Sequence, residues 1–251
     1  DVNLNYGTLT ATVKSTKAAN SAGMLIQSFD LLVTQGERKI YEGSTTFGFF
    51  SKEALADQVG LRGVQPYEPD ASEVGRKVDF AIERSAPVTP DDQTPVQLNG
   101  LTLPGSCYMM LDRIDLFIPD GGPARLGFVR GTKAVNPAEW FFKAHFYQDP
   151  VIPGSLGLES FIQLMKVAAI HRWGKELAGR QCHFQPMATG LRHSWSYRGQ
   201  VIPQDRLVTV DACINRIDDQ DHLIVAEGFL KVDGRIIYSM KDFGLKVVID
   251  G

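Results

Sequence analysis

Hydrophobic and polar positions divide this chain into three stretches of different rhythm. Residues 1–62 alternate at a period of two, and Leu9 to Lys14, Met24 to Thr34 and Lys39 to Phe50 predict strands. Residues 63–104 lose that rhythm and collect prolines and acidic residues, with Val78-Asp79-Phe80-Ala81-Ile82 the one strand-like run. They predict a linker or a long wrapping connection. From Gly105 onward strands return, at Arg192 to Gln200, Leu207 to Arg216, Leu223 to Val232 and Arg235 to Val248.

One long apolar run interrupts this last stretch. From Gly154 it reads GSLGLESFIQLMKVAAIHRWGKEL, with apolar residues on nearly every face. A helix apolar all round is a buried helix. Glu159 and Gln163 stand four apart and share one of its faces. Gly154 and Ser155, after Pro153, predict its start, with Ser155 available as a cap and free N–H groups pointing outward. Such an end favours a partly negative oxygen. His145 lies just upstream among aromatic residues. A charged group in apolar company costs several kcal/mol unless it is paired, neutralised or used, so His145 and Glu159 are the leading candidates for chemistry.

Composition narrows the field. At 251 residues and 43% hydrophobic content the chain can bury one large core or two small ones. A net charge of −3 gives no reason to expect nucleic acid or a general membrane-surface affinity. Cys107, Cys182 and Cys213 have no metal or disulfide spacing and read as free thiols of a reducing compartment. Neither a signal peptide nor a membrane span is evident, so cytoplasm is the expectation. His171, His183, His193 and His222 lack ligand spacing, Asp218, Asp219 and Asp221 read as a solvated hairpin, and Trp195 as strand-end packing.

His145-Phe146, Asp149-Pro150-Val151, Pro153-Gly154, Leu156-Gly157-Leu158, Glu159 and Gln163 together resemble the active-site signature of the bacterial β-hydroxydecanoyl-thioester dehydratase family. Met109 to Arg113, Trp140-Phe141-Phe142, Gly199 to Pro203 and Val232 to Tyr238 extend the resemblance over roughly residues 105 to 248. It implies the α+β hotdog fold, in which a curved antiparallel sheet wraps a long central helix. The departure is Glu159, where the decanoyl enzymes carry Asp and the related general hydroxyacyl dehydratases carry Glu. Dehydration chemistry survives that swap; whether the double bond is also isomerised stays open. HFYQDPVIPGSLGLE and WSYRGQV most resemble a dehydratase segment of a polyunsaturated fatty acid synthase.

The resemblance implies water loss from a 3-hydroxyacyl thioester carried on the phosphopantetheine arm of an acyl carrier protein, with no other cofactor and no metal. That reaction needs a neutral base for the C2 proton and a neutral acid for the C3 hydroxyl. Histidine, with an ordinary pKa near ~6.5, suits the first, and a carboxyl in an apolar setting suits the second. His145 is therefore expected as general base and Glu159 as general acid, with the Gly154 N–H on the thioester carbonyl and Gln163 orienting the acid or its water. In this family the histidine of one hotdog works with the acid of its neighbour, so a homodimer or another hotdog partner is expected. Arg130, Lys133, Lys143, Lys166, Arg172, Lys175 and Arg180 offer a basic patch for an acidic carrier protein.

The two ends of the chain also echo each other. Val33 to Gly36, Ile40-Tyr41 and Phe47-Gly48-Phe49 parallel Val232 to Gly234, Ile237-Tyr238 and Phe243-Gly244-Leu245. Residues 1–62 are thus expected to be strands of a partial or degenerate hotdog, residues 105–251 the complete catalytic one, and the whole a tandem. Two rivals stand beside the dehydratase: a catalytically silent hotdog that binds carrier protein or completes a larger synthase, and a hotdog acyl thioesterase.

Overall fold

The computed structural model describes residues 7–21, 24–51, 53, 55, 58–82, 95–98 and 101–250. They fall into two compact units, Asp1–Gln58 and Val59–Gly251. The first is a three-stranded antiparallel meander of β1 (Thr10–Ser21), β2 (Met24–Gln35) and β3 (Arg38–Phe49). Paired residues share a face of a sheet. One face therefore carries Ala11, Val13, Phe29, Leu31, Val33, Tyr41 and Phe47, while the other carries Lys14, Asp30 and Ser44 and a Ser28–Thr46 hydrogen bond. The apolar face is open: Val13, Tyr41 and Phe47 are each about half exposed.

The second unit is a hotdog. Its elements are α1 (Ala71–Val74), β4 (Pro95–Leu98), β5 (Leu101–Gly105), β6 (Arg113–Ile118), β7 (Phe128–Ala134), α2 (Trp140–Ala144), α3 (Gly154–Trp173), β8 (Cys182–Gln185), β9 (Ser194–Tyr197), β10 (Leu207–Asp218), β11 (Leu223–Val232) and β12 (Arg235–Ile249). The main sheet runs β6-β7-β10-β11-β12-β8, with β9 also on β12 and β4–β5 a separate hairpin. All these pairings are antiparallel.

The sheet can close on α3 because glycines clear the way. A Cβ at Gly228 would strike the Phe161 ring, and one at Gly131 would crowd Leu164. Phe161, Leu164, Met165, Val167 and Ala169 are fully buried as a result. The helix starts at Gly154 as expected, but its cap differs. Pro153 is the N-cap, with no side-chain cap bond, and its carbonyl accepts from Leu156 N–H (2.9 Å); Ser155 lies exposed in the first turn. The unit also begins earlier than Gly105, because Leu101 and Leu103 of β5 are fully buried in its core.

Residues 59–82 run over the outside of this unit. Leu61 N–H donates to the Ile236 carbonyl and Val78 N–H to that of Phe117, both at 2.8 Å. Val210 and Ala212 of β10 point inward, so Asp211 between them faces outward, yet it is only 2% exposed. Arg130 forks onto its carboxylate at 2.5 and 3.0 Å, Lys231 adds a third contact at 3.0 Å, and Glu68 from the overlying segment bridges both cations. Tyr67 packs edge-on against Phe128 beside this cluster.

The two meanders share a register in detail. Both have an extra residue in the first strand, opposite Phe29 in one and Ala226 in the other. Both have an extra residue in the third strand, just beyond the Val33–Tyr41 pair and just beyond the Leu230–Tyr238 pair. Those extra residues are Ile40 and Ile237. β12 adds one further bulge, near Gly228, that β3 lacks.

The far end of α3 is pinned by Asp219, whose carboxylate receives the Arg172 guanidinium at 2.6 and 2.7 Å and the Trp173 indole N–H at 2.8 Å. These bonds hold its carboxyl down to about 2. A folded value below the unfolded one gives stability that is present above about pH 4 and lost as pH falls through about 2. Asp219→Asn should therefore flatten the acid loss of stability, measured as urea midpoints across that range; an unchanged slope would remove Asp219 from the acid response.

Candidate active site

Two segments build the site: the turn between α2 and α3, and the first half of α3. His145 ends α2, its N–H donating to the Phe141 carbonyl (2.9 Å). Its Nδ1 lies 3.0 Å from the carbonyl of buried Val151. A carbonyl only accepts, so Nδ1 carries the proton and Nε2 is left with the lone pair. Phe146 and Gln148 hold left-handed backbone (φ 60° each), a conformation disfavoured for such side chains, to turn the chain sharply next to His145. Phe146 and Tyr147 are left 62% and 91% exposed beside it.

An aromatic wall backs the start of α3. Trp195 and Tyr197 of β9 stack at 6.0 Å, and Tyr238 of β12 meets Tyr197 at 4.7 Å. A Cβ on Gly154 would sit 3.2 Å from Trp195, and one on Gly157 would run into the Tyr238 ring. Close approach thus requires glycine at 157, while at 154 a side chain would press on the Trp195 ring. Burial raises both phenol pKa values, that of Tyr238 far above the ordinary range, so neither serves as a base at neutral pH. The first-turn N–H groups of Gly154 and Ser155 precede any intrahelical acceptor.

Glu159 is bound by two later residues of its own helix. Its Oε1 receives Gln163 Nε2 and Lys166 Nζ, each at 3.1 Å. Gln163 is wholly buried, and its amide is oriented by backbone: Met110 N–H donates to its Oε1 (2.9 Å), while its Nε2 also donates to the Tyr108 carbonyl (2.8 Å). The flip of the amide is thereby settled, because a reversed amide would set donor against donor. Among the described residues no hydrogen bond joins His145 to Glu159; the first is bound to the Val151 carbonyl and the second to Gln163 and Lys166. No group of three His, Cys, Asp or Glu among the described residues could hold a metal ion. No helix among them is long and apolar enough to cross a membrane.

The basic patch expected from sequence is largely dismantled. Lys166 is 8% exposed and bound to Glu159, Lys133 is 3% exposed and bound to Glu139, and Arg130 is bound to Asp211 and Glu68. Arg172 forks onto Asp219. Lys143, Lys175 and Arg180 remain exposed. Lys166 and the Tyr197–Tyr238 pair escaped the sequence reading as site residues; the signal for Lys166 was its place two turns after Glu159 on one helix face.

Gln163→Leu should cost about 2–4 kcal/mol of unfolding free energy, because it strips partners from Met110 N–H, the Tyr108 carbonyl and Glu159 at once. Denaturant titration measures it. A loss under about 0.5 kcal/mol would show that the amide does not tie the loop to α3.

Residues 103–241 match the family described as FabA-like domain. A polyunsaturated fatty acid synthase polypeptide of Thraustochytrium sp. is 31% identical over 98% of this chain, which spans 17% of that protein's length. Among solved structures, the dehydratase heterocomplex ApeI:P of Xenorhabdus doucetiae aligns with a TM-score of 0.40 at 12% identity, over 58% of this chain and 86% of its own. The tesB protein of Mycobacterium avium subs paratuberculosis aligns at 0.41 and 10% identity, over 97% and 72%. With more than half its length matched by one family model, the chain belongs to the FabA-like domain family.

Proposed function

We propose that the chain dehydrates a 3-hydroxyacyl thioester, carried on acyl carrier protein, to the 2-enoyl thioester in fatty acid synthesis, within a polyunsaturated fatty acid synthase. The observation that carries this reading is the pair of prepared groups: a histidine whose Nδ1–H is held by the Val151 carbonyl, and a glutamate held at Oε1 by two donors. Membership of the FabA-like family and the likeness to a synthase polypeptide support it.

In this mechanism His145 Nε2 takes the C2 proton, and the Gly154 N–H stabilises the enolate-like charge on the thioester oxygen. Glu159 Oε2 gives its proton to the C3 hydroxyl, the C3–O bond breaks, and water leaves. Histidine is left protonated and glutamate ionised, and a net proton transfer through solvent resets them. His145 and Glu159 share no hydrogen bond within one hotdog, which is in keeping with sites completed across a pair of hotdogs in a homodimer. The shared register of β1–β3 and β10–β12 supports reading residues 1–62 as strands of a second, partial hotdog, with the catalytic hotdog reaching upstream of Gly105 to take in β5.

Water loss followed by ultraviolet absorbance and mass spectrometry tests the reaction. His145→Ala and Glu159→Gln should each lower kcat by about 10³-fold or more with the fold intact. No product from the parent protein with carrier-bound substrates of several chain lengths would sink the dehydratase reading, and free acid in place of enoyl product would replace it with thioester hydrolysis. The same product analysis locates the double bond and so reads any isomerisation. Lys143, exposed and two residues before His145, is the cation best placed for the carrier. Lys143→Glu should raise KM several-fold for carrier-bound substrate and leave KM for the matching pantetheine thioester unchanged; equal shifts in both would dismiss a docking role.

A further inference from the structure

Lys166 is a charge in a place that stability does not explain. It sits in the middle of α3 between fully buried Met165 and Val167, and is itself 8% exposed. Burying an ammonium is costly, and an apolar side chain of like volume fills a core without that cost. The rest of α3 from Phe161 to Ile170 follows that rule with apolar side chains, except Gln163. Lys166 therefore has some task at its other end. Its ammonium is 3.1 Å from Glu159 Oε1 and 5.9 Å from the face of Phe184, and Glu159 is the carboxylate it pairs with among the described residues.

Glu159, Gln163 and Lys166 occupy positions i, i+4 and i+7, one face of the helix. Gln163 uses its other amide contacts on Tyr108 and Met110 and so holds Glu159 by a single bond. Lys166 supplies the second, on the same oxygen. A proton placed on Oε1 would oppose two donors, so the acid proton belongs on Oε2. We infer that Lys166 is a positioning residue for Glu159, sorting its two oxygens so that Oε1 is anchored and Oε2 carries the proton. This rests on the dehydratase reading above.

The test takes Lys166→Met and Lys166→Arg in the full chain, with a crystal structure, a thermal midpoint, and kcat and KM for carrier-bound 3-hydroxyacyl thioester. In the Met variant the Glu159 carboxyl is expected to swing off Gln163. A displacement of that order costs about 10- to 100-fold in kcat, while KM stays within about twofold and the variant remains folded at the assay temperature. The Arg variant, which keeps a donor and a charge, should recover part of the rate. The inference is overturned if the carboxyl keeps its place in the Met variant, if kcat is unchanged, or if the loss of rate merely follows a loss of thermal stability. Should the Met variant not fold, Lys166→Gln takes its place with the same readings. If the parent leaves the thioester untouched, the dehydratase reading fails, and the position of Glu159 in the variant alone decides the role of Lys166.

Discussion

Enclosure of α3 by the sheet is the constraint on which the rest of the molecule depends. A helix wrapped by β7, β10, β11 and β12 has little water to satisfy what it carries, so each polar side chain on it must find a partner inside the shell. Ser160 turns back to the Gly157 carbonyl. Gln163 takes the backbone of residues 108–110, and Lys166 takes Glu159. The site is thus less an addition to the core than the place where the core's polar residues are gathered on one helical face.

The same enclosure decides where small residues stand. Gly131, Gly157 and Gly228 each lie where a neighbouring side chain presses toward the backbone, so the helix sits closer to the sheet than side-chain contact would otherwise allow. That closeness lets Tyr238 of β12 touch the first turn of α3 and, through Tyr197, connect it with Trp195. On the outer face the arrangement is reversed: Asp211, Arg130, Lys231 and Glu68 form an ionic cluster beneath residues 59–82.

Much of this was legible in the chain itself. An all-round apolar run announces a buried helix, and its start at Gly154 follows from Pro153 before it. His145, Glu159 and Gln163 stand out as polar groups in apolar company. What was hidden depends on contacts distant in sequence. Lys166 reads as surface charge because lysine seldom lies buried, and only folding reveals that its partner lies two turns back. Asp219 reads as a solvated loop residue because its partners, Arg172 and Trp173, are 47 and 46 positions away. The echo between Ile40-Tyr41 and Ile237-Tyr238 is visible as letters, but their common place at a bulge is a fact of strand pairing.

The bond from His145 Nδ1 to Val151 has a consequence for how this protein tolerates change. The acceptor is a main-chain carbonyl, which any amino acid at position 151 would supply. Mutation of that side chain can alter packing but cannot delete the group that selects the tautomer. Only an insertion or deletion between residues 145 and 151, shifting the carbonyl out of reach, would do so. The nitrogen left with the lone pair is therefore set by the length of a loop and not by its composition, and drift in this segment should accumulate as substitutions while its residue count stays fixed.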